Sequence, residues 1–522
     1  MLARNVGQQG FFDAAWCVGL LPERSIYALL AEHGDRIVRD EDFAECYSAG
    51  AGRPSIPPSL LAKVLLLAYR DGLSDVRAME ALRFDLRWKV ALDLPVDHPG
   101  FHPTSLVRFR ARLLLHGKER VVFERSIELA TELGLLDGDV EQIVDSTPML
   151  GAAAIQDTVL LVRAGVRKLL DAARAADARA GLELTRRLAF DYRRPRQKPA
   201  IDWQDKPLRE ATLVEVAVDA QRALGAAERD GRLADDQAVG EAAQLLGEII
   251  GQEFDTSDDD GPRPRQGRQV RQIISAHDPE MRHGRKTNAR RFTGYKLHAA
   301  TASQTPVLTA IAVTAGNEHD GHHAATLVDQ QPPDRRPERV IGDTAYGNLE
   351  VREQLEHRRT RVLARLHETR AADATTFDKD QFAIDLATEQ VTCPHGKTTQ
   401  IFKPSANKPR ADGTRIARFA LADCRPCPLR ERCSPKGQRN VRIHRREDLR
   451  QAAQRELADP AQVAHLKRTR PRIERLLGLL VHRYHARKSR YHGTRKTGLQ
   501  AAWTAVLVNL HPIGTALRAQ TA

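Results

Sequence analysis

The chain has 522 residues and a formal net charge of +13, with 81 Lys and Arg against 68 Asp and Glu and a pI near 9.6. That length exceeds one core and points to roughly two to four domains, and the positive balance favours a polyanionic partner such as nucleic acid. No run approaches the roughly 18 apolar residues that span a membrane, no signal peptide is expected, and the six cysteines do not form a secreted disulfide framework, so a reducing cytoplasm is expected.

Residues 1–130 read as helices. Pro57-Pro58 opens SLLAKVLLLAYRDG, closing on Gly72; Ser74 caps LSDVRAMEALRFDLRWKVALDL, and Thr104 caps SLVRFRARLLLHG. Short capped helices with tight links suit a DNA-binding module, and Arg108, Arg110 and Arg112 on the last would face the backbone. An ordinary solvated helix face is the competing reading.

Residues 131–155 supply the first strand of an α/β core. Val140, Ile143 and Val144 lead to Asp145, and small and turn-forming residues follow, so a carboxylate is expected to emerge at a strand end. Residues 156–270 carry apolar residues at helical spacing, such as Val159, Val162 and Val166, and end in the charge-alternating DTSDDDGPRPRQGRQ. They are read as a helical insertion with an exposed linker.

Strand patterns dominate 271–390. FTGYKLHAATAS and TPVLTAIAVTAGN are β-like, HDGHHAATLVDQQ is helical, and RVLARL offers a further strand. Between them, PERVIGDTAYGN repeats the grammar of the first site: Val340 and Ile341 approach Gly342-Asp343, then the chain turns. A charge there lies at the carboxyl edge of the sheet, where open α/β sheets collect ligands.

Residues 391–435 hold Cys393, Cys424, Cys427 and Cys433. Four thiolates around a C-x2-C pair suit a tetrahedral structural Zn²⁺, with His395 able to replace one of them. Cys17 and Cys46 stand alone and read as small buried hydrophobes. In 436–522, Ile473, Leu476, Leu477, Leu480 and Val481 mark an amphipathic helix bearing Arg470 and Glu474 at i and i+4. Beyond it, Arg487, Lys488, Arg490, Arg495 and Lys496 interleave with Tyr484, Tyr491 and His492, a mixture that suits a nucleic-acid backbone. There is no GxxxxGK[ST] phosphate loop, which argues against an ATP-driven engine.

These residues resemble a family. PPSLLAKVLLLAYRDG with HPTSLVRFRARL, VDSTPM, DPEMRHGRKTNARRFTGYKLH, TAGNEHDGH, VIGDTAYGN and RYHGTRKTGLQAAWTAVLVNL are together similar to the DDE transposases of bacterial insertion sequences. The resemblance covers nearly the whole chain. It implies an RNase H-like mixed sheet of the retroviral-integrase type, with a helical N-terminal domain, a helical insertion and a small Cys-rich insertion. It also implies Asp145, Asp343 and Glu474 as the carboxylates for two Mg²⁺ (or Mn²⁺) ions, with Glu456 a weaker rival to Glu474. Arg470 matches the arginine of the family's Y-(2)-R-(3)-E-(6)-K signature. Lys467 stands where its tyrosine is expected and Val481 where its lysine is, leaving the residue that orients a terminal phosphate open. Lys296 in FTGYKLH joins Arg470, Arg487, Arg490, Arg495 and Lys496 as an expected DNA contact.

The implied activity is nicking at the element ends followed by attack of the freed 3′-hydroxyls on target DNA. The expected partner is double-stranded DNA, bound by a homodimer or higher oligomer on a bacterial nucleoid. A stand-alone metal-dependent nuclease and a catalytically silent DNA-binding protein are the rival readings.

Overall fold

The computed structural model describes residues 14–48, 54–138, 140–194, 197–256, 261–267, 269, 271–287, 289–366, 376–402, 413–435 and 437–521. Six helices come first: α1 (Ile26–Ile37), α2 (Pro58–Arg70), α3 (Asp75–Phe84), α4 (Leu86–Ala91), α5 (Thr104–Leu115) and α6 (Val121–Glu132). Pro58 suits the first turn of α2, where no amide partner is needed, and Gly72 (φ +69°) turns the chain after it. Ser74 caps α3 by accepting from the Arg77 amide.

Two local expectations change. The run after Ser74 is two helices, because Asp85 is extended (φ −93°, ψ 113°) and caps α4 through the Arg87 amide at 2.9 Å. Thr104 is the first residue of α5 and makes no cap bond; its hydroxyl meets the His102 ring at 2.8 Å.

Next come β1 (Glu141–Leu150) and the insertion helices α7 (Thr158–Ala176), α8 (Ala178–Arg186), α9 (Lys206–Arg229) and α10 (Gln237–Glu253). These four enclose their own apolar cluster, including Val162, Val166, Leu170, Val216, Leu246 and Ile249. Buried Asp219 ties the cluster's edge by accepting from the Ala189 and Phe190 amides and the Tyr192 hydroxyl. In the expected linker, β2 (Phe254–Asp255) pairs with β3 (Arg263–Pro264), while residues 257–260 and 268 lie outside the described residues.

The central sheet is completed by β4 (Arg282–Arg285), β5 (Arg291–Ala302) and β6 (Leu308–Ala315), then α11 (Ala324–Asp329), β7 (Arg339–Ile341), α12 (Leu349–Glu356) and β8 (Arg361–Leu363). Its order is β4-β5-β1-β7-β8, with β6 also on β5. β5 is antiparallel to β1, β4 and β6, whereas β7 is parallel to β1 and β8. A long hairpin antiparallel to a central first strand, followed by two parallel strands, is the RNase H-like arrangement.

Strand alternation gives this sheet two buried faces. Ile143, Leu297 and Ile341 face the main core shared with the N-terminal helices, whereas Val144, Ala300 and Val340 face α11 and α12. Asp145 and Asp343 continue the parity of Ile143 and Ile341.

A second sheet holds β9 (Ala383–Asp385), β10 (Gln390–Thr392), β11 (Thr398–Phe402), β12 (Arg415–Arg418) and β13 (Asn440–Ile443), with short helices α13 (Leu421–Cys424) and α14 (Arg430–Cys433) between the last two strands. The Cys-rich unit therefore extends beyond 391–435 on both sides. It is followed by α15 (Glu447–Ala458), α16 (Pro460–Thr469), α17 (Pro471–Gly478), a π-helical turn at Leu479–Arg483, and α18 (Thr494–Thr521). The last of these, α18, is a core helix. Trp503, Val506, Leu507, Leu510 and Ile513 of α18 are fully or almost fully buried, and Asn509 bonds to the backbone of Leu308 on β6. Among the described residues no helix is long and apolar enough to cross a membrane.

Candidate active site

Asp145 does not end its strand. β1 runs on to Leu150, with Asp145 opposite Ala299 of β5, because β5 keeps pairing through Pro148 and Met149. Asp145 instead lies just past the point where β7 stops pairing with β1 at Ile143, so its side chain clears the neighbouring strand. The Ser146 amide donates to Asp145 Oδ1 at 2.8 Å. Asp343 does sit at a strand end. Its carboxylate caps the tight turn Thr344–Gly347 by accepting from the Ala345 amide at 2.8 Å. Glu474 stands exposed on the first turn of α17, and Arg470 Nη2 donates to its Oε1 at 3.1 Å.

These three carboxylates line one cavity of about 430 Å³, together with Asp320, Ser146, Lys296, Arg470 and Arg487. Glu456 is not part of it; it pairs with Arg339 at 3.6 Å. Burial pushes the Asp145 carboxyl up to about 6; the Asp343 and Glu474 charges add to this, while the Ser146 amide and Arg470 oppose it. Oxygen donors around one cavity suit a hard divalent cation. Among the described residues, no three Asp, Glu, His or Cys stand close enough to form a ready ligand cluster.

The expected DNA contacts divide into two groups. Arg487 is held beside β1, because Leu150 donates to its carbonyl and Ser489 donates to that of Leu150; its guanidinium reaches the cavity. Arg108, Arg112 and Lys496 are exposed, with Arg112 stacked 4.7 Å over the Tyr47 ring.

Arg110, Arg490, Arg495 and Lys296 each have partners inside the protein. Arg110 makes a two-pronged pair with Asp75, and Arg490 donates to the Leu73 carbonyl at 2.6 Å and stacks 5.0 Å over Tyr69. Arg495 pairs with Glu119 at 2.9 Å. Lys296 is gripped at 2.7 Å by both Asp320 and the Glu318 carbonyl, with its side chain only 13% exposed. The structure also brings Arg285 and Lys286, from the turn of the β4–β5 hairpin, and His482 to the cavity. The basic run HGRKTNARR is the sequence signal for the first two. His482 belongs to the π-helical turn, which sequence spacing alone does not reveal.

The four late cysteines border a second, small cavity of about 30 Å³. Cys393 begins a hairpin in which its amide donates to the Lys397 carbonyl and its carbonyl accepts from Gly396. Cys427 donates to the Cys424 carbonyl, and all four thiols are free. Burial raises the Cys433 thiol, and the neighbouring thiols add to that against the Arg439 charge. His395 is exposed and is not among the residues lining this cavity. Cys17 and Cys46 are buried in the main core, as expected of small hydrophobes.

Comparison with known families gives two matches. Residues 271–510 match the family described as Transposase DDE domain, and residues 18–112 match Transposase domain (DUF772). No curated protein and no solved structure matches the chain.

Proposed function

From its membership of the insertion-sequence DDE transposases, we propose that this DNA transposase nicks the ends of its element and joins them to target DNA at the pocket of Asp145, Asp343 and Glu474. The observation that carries this reading is convergence. A mid-strand residue of β1, the turn after β7 and a helix 131 residues beyond Asp343 deliver three carboxylates to one cavity edged by cations.

Those three side chains would hold Mg²⁺ or Mn²⁺, which when bound supplies Lewis-acid assistance to the attacking and leaving oxygens of the phosphodiester. The protein's own residues do the rest. The Ala345 and Ser146 amides fix Asp343 and Asp145, and Arg470 holds Glu474 toward the cavity. Arg285, Lys286 and Arg487 lie where a phosphodiester backbone would pass and would restrain it by charge. Tyr346 is fully buried behind the pocket, so no tyrosine nucleophile stands at this turn.

Two ends must be handled together, so the acting species is a dimer or larger assembly on double-stranded DNA. The four cysteines would hold a structural Zn²⁺ that stiffens the second sheet.

The test uses the purified full chain and pre-cut and uncut element ends. Asp343→Asn is expected to lower Mg²⁺-dependent nicking about a thousandfold, the scale of several kcal/mol of lost transition-state stabilisation, while end binding persists. Nicking that survives in this variant would refute the assignment. Cleavage without joining of pre-cut ends would identify a nuclease instead, and binding without cleavage in the wild type would identify a silent DNA-binding relative.

A further inference from the structure

The pocket also contains an aromatic ring, Phe292, that the chemistry above leaves without a part. Phe292 is half-buried and joins none of the apolar clusters formed by the described residues. It stands near the start of β5, directly across from Gly284 on β4 and beside the hairpin turn that carries Arg285 and Lys286.

The ring has a built seat. A Cβ on Gly284 would fall 2.3 Å from Phe292 Cζ and 2.6 Å from Cε1, and one on Gly316 would fall 3.1 Å from Cε2. The outer half of the ring therefore occupies the space that side chains at both glycines would need. Gly316 is itself held by its amide, which donates to the Gly294 carbonyl at 3.0 Å. Backbone of β4 and of the chain just past β6 thus supports the ring, and the pocket lies on its open side. Strand parity puts Phe292, Gly294 and Lys296 on one side of β5, and both Phe292 and Lys296 line the pocket. Gly294 between them offers no side chain, so the ring stands clear, about 13 Å along the strand from Lys296.

An open aromatic surface beside Arg285, Lys286 and Arg487 is the combination that holds a single DNA strand. Cations follow the phosphates, and the ring takes the face of a base. Bases inside a duplex are covered by their neighbours, so a ring of this kind selects an unpaired nucleotide. An aromatic across from a strand glycine also steadies a hairpin. That role accounts for the seat over Gly284, but not for a ring that borders the carboxylates and belongs to no core cluster.

We propose that Phe292 is a stacking platform for an unpaired nucleobase of the DNA strand end that enters the pocket. It reads no base identity, since every base has a π-face. It holds the strand in place while Asp145, Asp343 and Glu474 act at the phosphodiester. The inference rests on the reading of this pocket as the site of DNA cleavage.

The experiment uses the full chain without added Mg²⁺, so that binding is read apart from cutting. The probes are one labelled duplex with a 3′ tail of four unpaired thymidines and the same duplex with four abasic nucleotides in the tail. Stacking predicts that the wild type prefers the tail with bases by about tenfold. Phe292→Ala and Phe292→Leu should bind both probes alike, whereas Phe292→Trp should restore the preference. Phe292→Leu keeps apolar cover over Gly284 and Gly316, so it remains informative if Phe292→Ala loosens the hairpin. A wild type indifferent to the missing bases would overturn the proposal, as would Phe292→Leu that still prefers them. A lowered thermal midpoint with that preference intact would reduce Phe292 to a hairpin contact and overturn it too. Failure of the underlying reading looks different: Asp343→Asn would nick like the wild type, whatever the tail preference.

Discussion

The carboxylate pocket rests on a sheet buried on both faces, where Ile143, Leu297 and Ile341 pack on one side and Val144, Ala300 and Val340 on the other. The cysteine cavity rests on strands of three to five residues over a cluster of eight buried residues, among them Phe377, Phe382, Ile401 and Phe419. In the first region the fold comes ready-made and holds its charged groups against their own repulsion. In the second, so small a core gives little stability of its own, and a metal cross-link between the Cys393 hairpin and the two short helices would supply the rest.

That contrast makes loss of the proposed zinc the largest expected effect. Structural zinc contributes on the order of 10 kcal/mol to small domains that depend on it. Cys427→Ser, or a chelator on the wild type, should therefore open β10 to β12 to hydrogen exchange while β1 and β5 stay protected. Metal analysis of the same samples should fall from one zinc per chain to none. Slow exchange in β10 to β12 without zinc would show that the apolar cluster suffices, and the contrast would fail.

In the pocket, the sensitive element is backbone packing. Gly347 closes the turn after Asp343, and a Cβ there would sit 1.8 Å from the Arg365 carbonyl oxygen. Since that neighbour is backbone, the turn itself must shift. Gly347→Ala should cost about 3 kcal/mol and lower nicking as Asp343 moves, read from a melting curve and the cleavage assay. An unchanged midpoint would show that the turn yields more easily than its packing implies.

These differences also explain what can be read along the chain. The strand end at Asp343 is legible because a buried strand and a turn are both local signals, and the Arg470–Glu474 pair because its members lie one helical turn apart. The helical insertion is legible from its apolar spacing. Asp145 is read as a strand-end residue, but its strand continues to Leu150, because β5, over a hundred residues later in the chain, keeps pairing with it. The arginines with internal partners share one feature. Arg110 is claimed by Asp75 from another helix, Arg490 by the Leu73 carbonyl, and Arg495 by Glu119, the last two separated by 417 and 376 residues. A basic run shows charge but not whether a distant carboxylate or carbonyl has already taken it. Asp320 is invisible for the same reason, since its partner Lys296 lies on another strand.

The smallest effect separates the two regions by their charges. Arg285 and Lys286 stand at the rim of the carboxylate pocket, whereas Arg415 of the second sheet is paired with Glu389 at 2.7 Å and Arg439 donates to the Cys433 and Phe377 carbonyls. Each cation withdrawn from a phosphate lowers the slope of log affinity against log salt by about 0.9. Arg285→Ala with Lys286→Ala should therefore flatten that slope by up to about 2, a drop of roughly tenfold in affinity at moderate salt that shrinks as salt rises. Arg415→Ala should leave the slope where it is, since its charge is spent within the protein. Binding of labelled duplex across a salt series measures both. An equal change of slope in Arg415→Ala would place the DNA path over the cysteine-bearing sheet, and the division between a region that meets DNA and one that only supports itself would have to be redrawn.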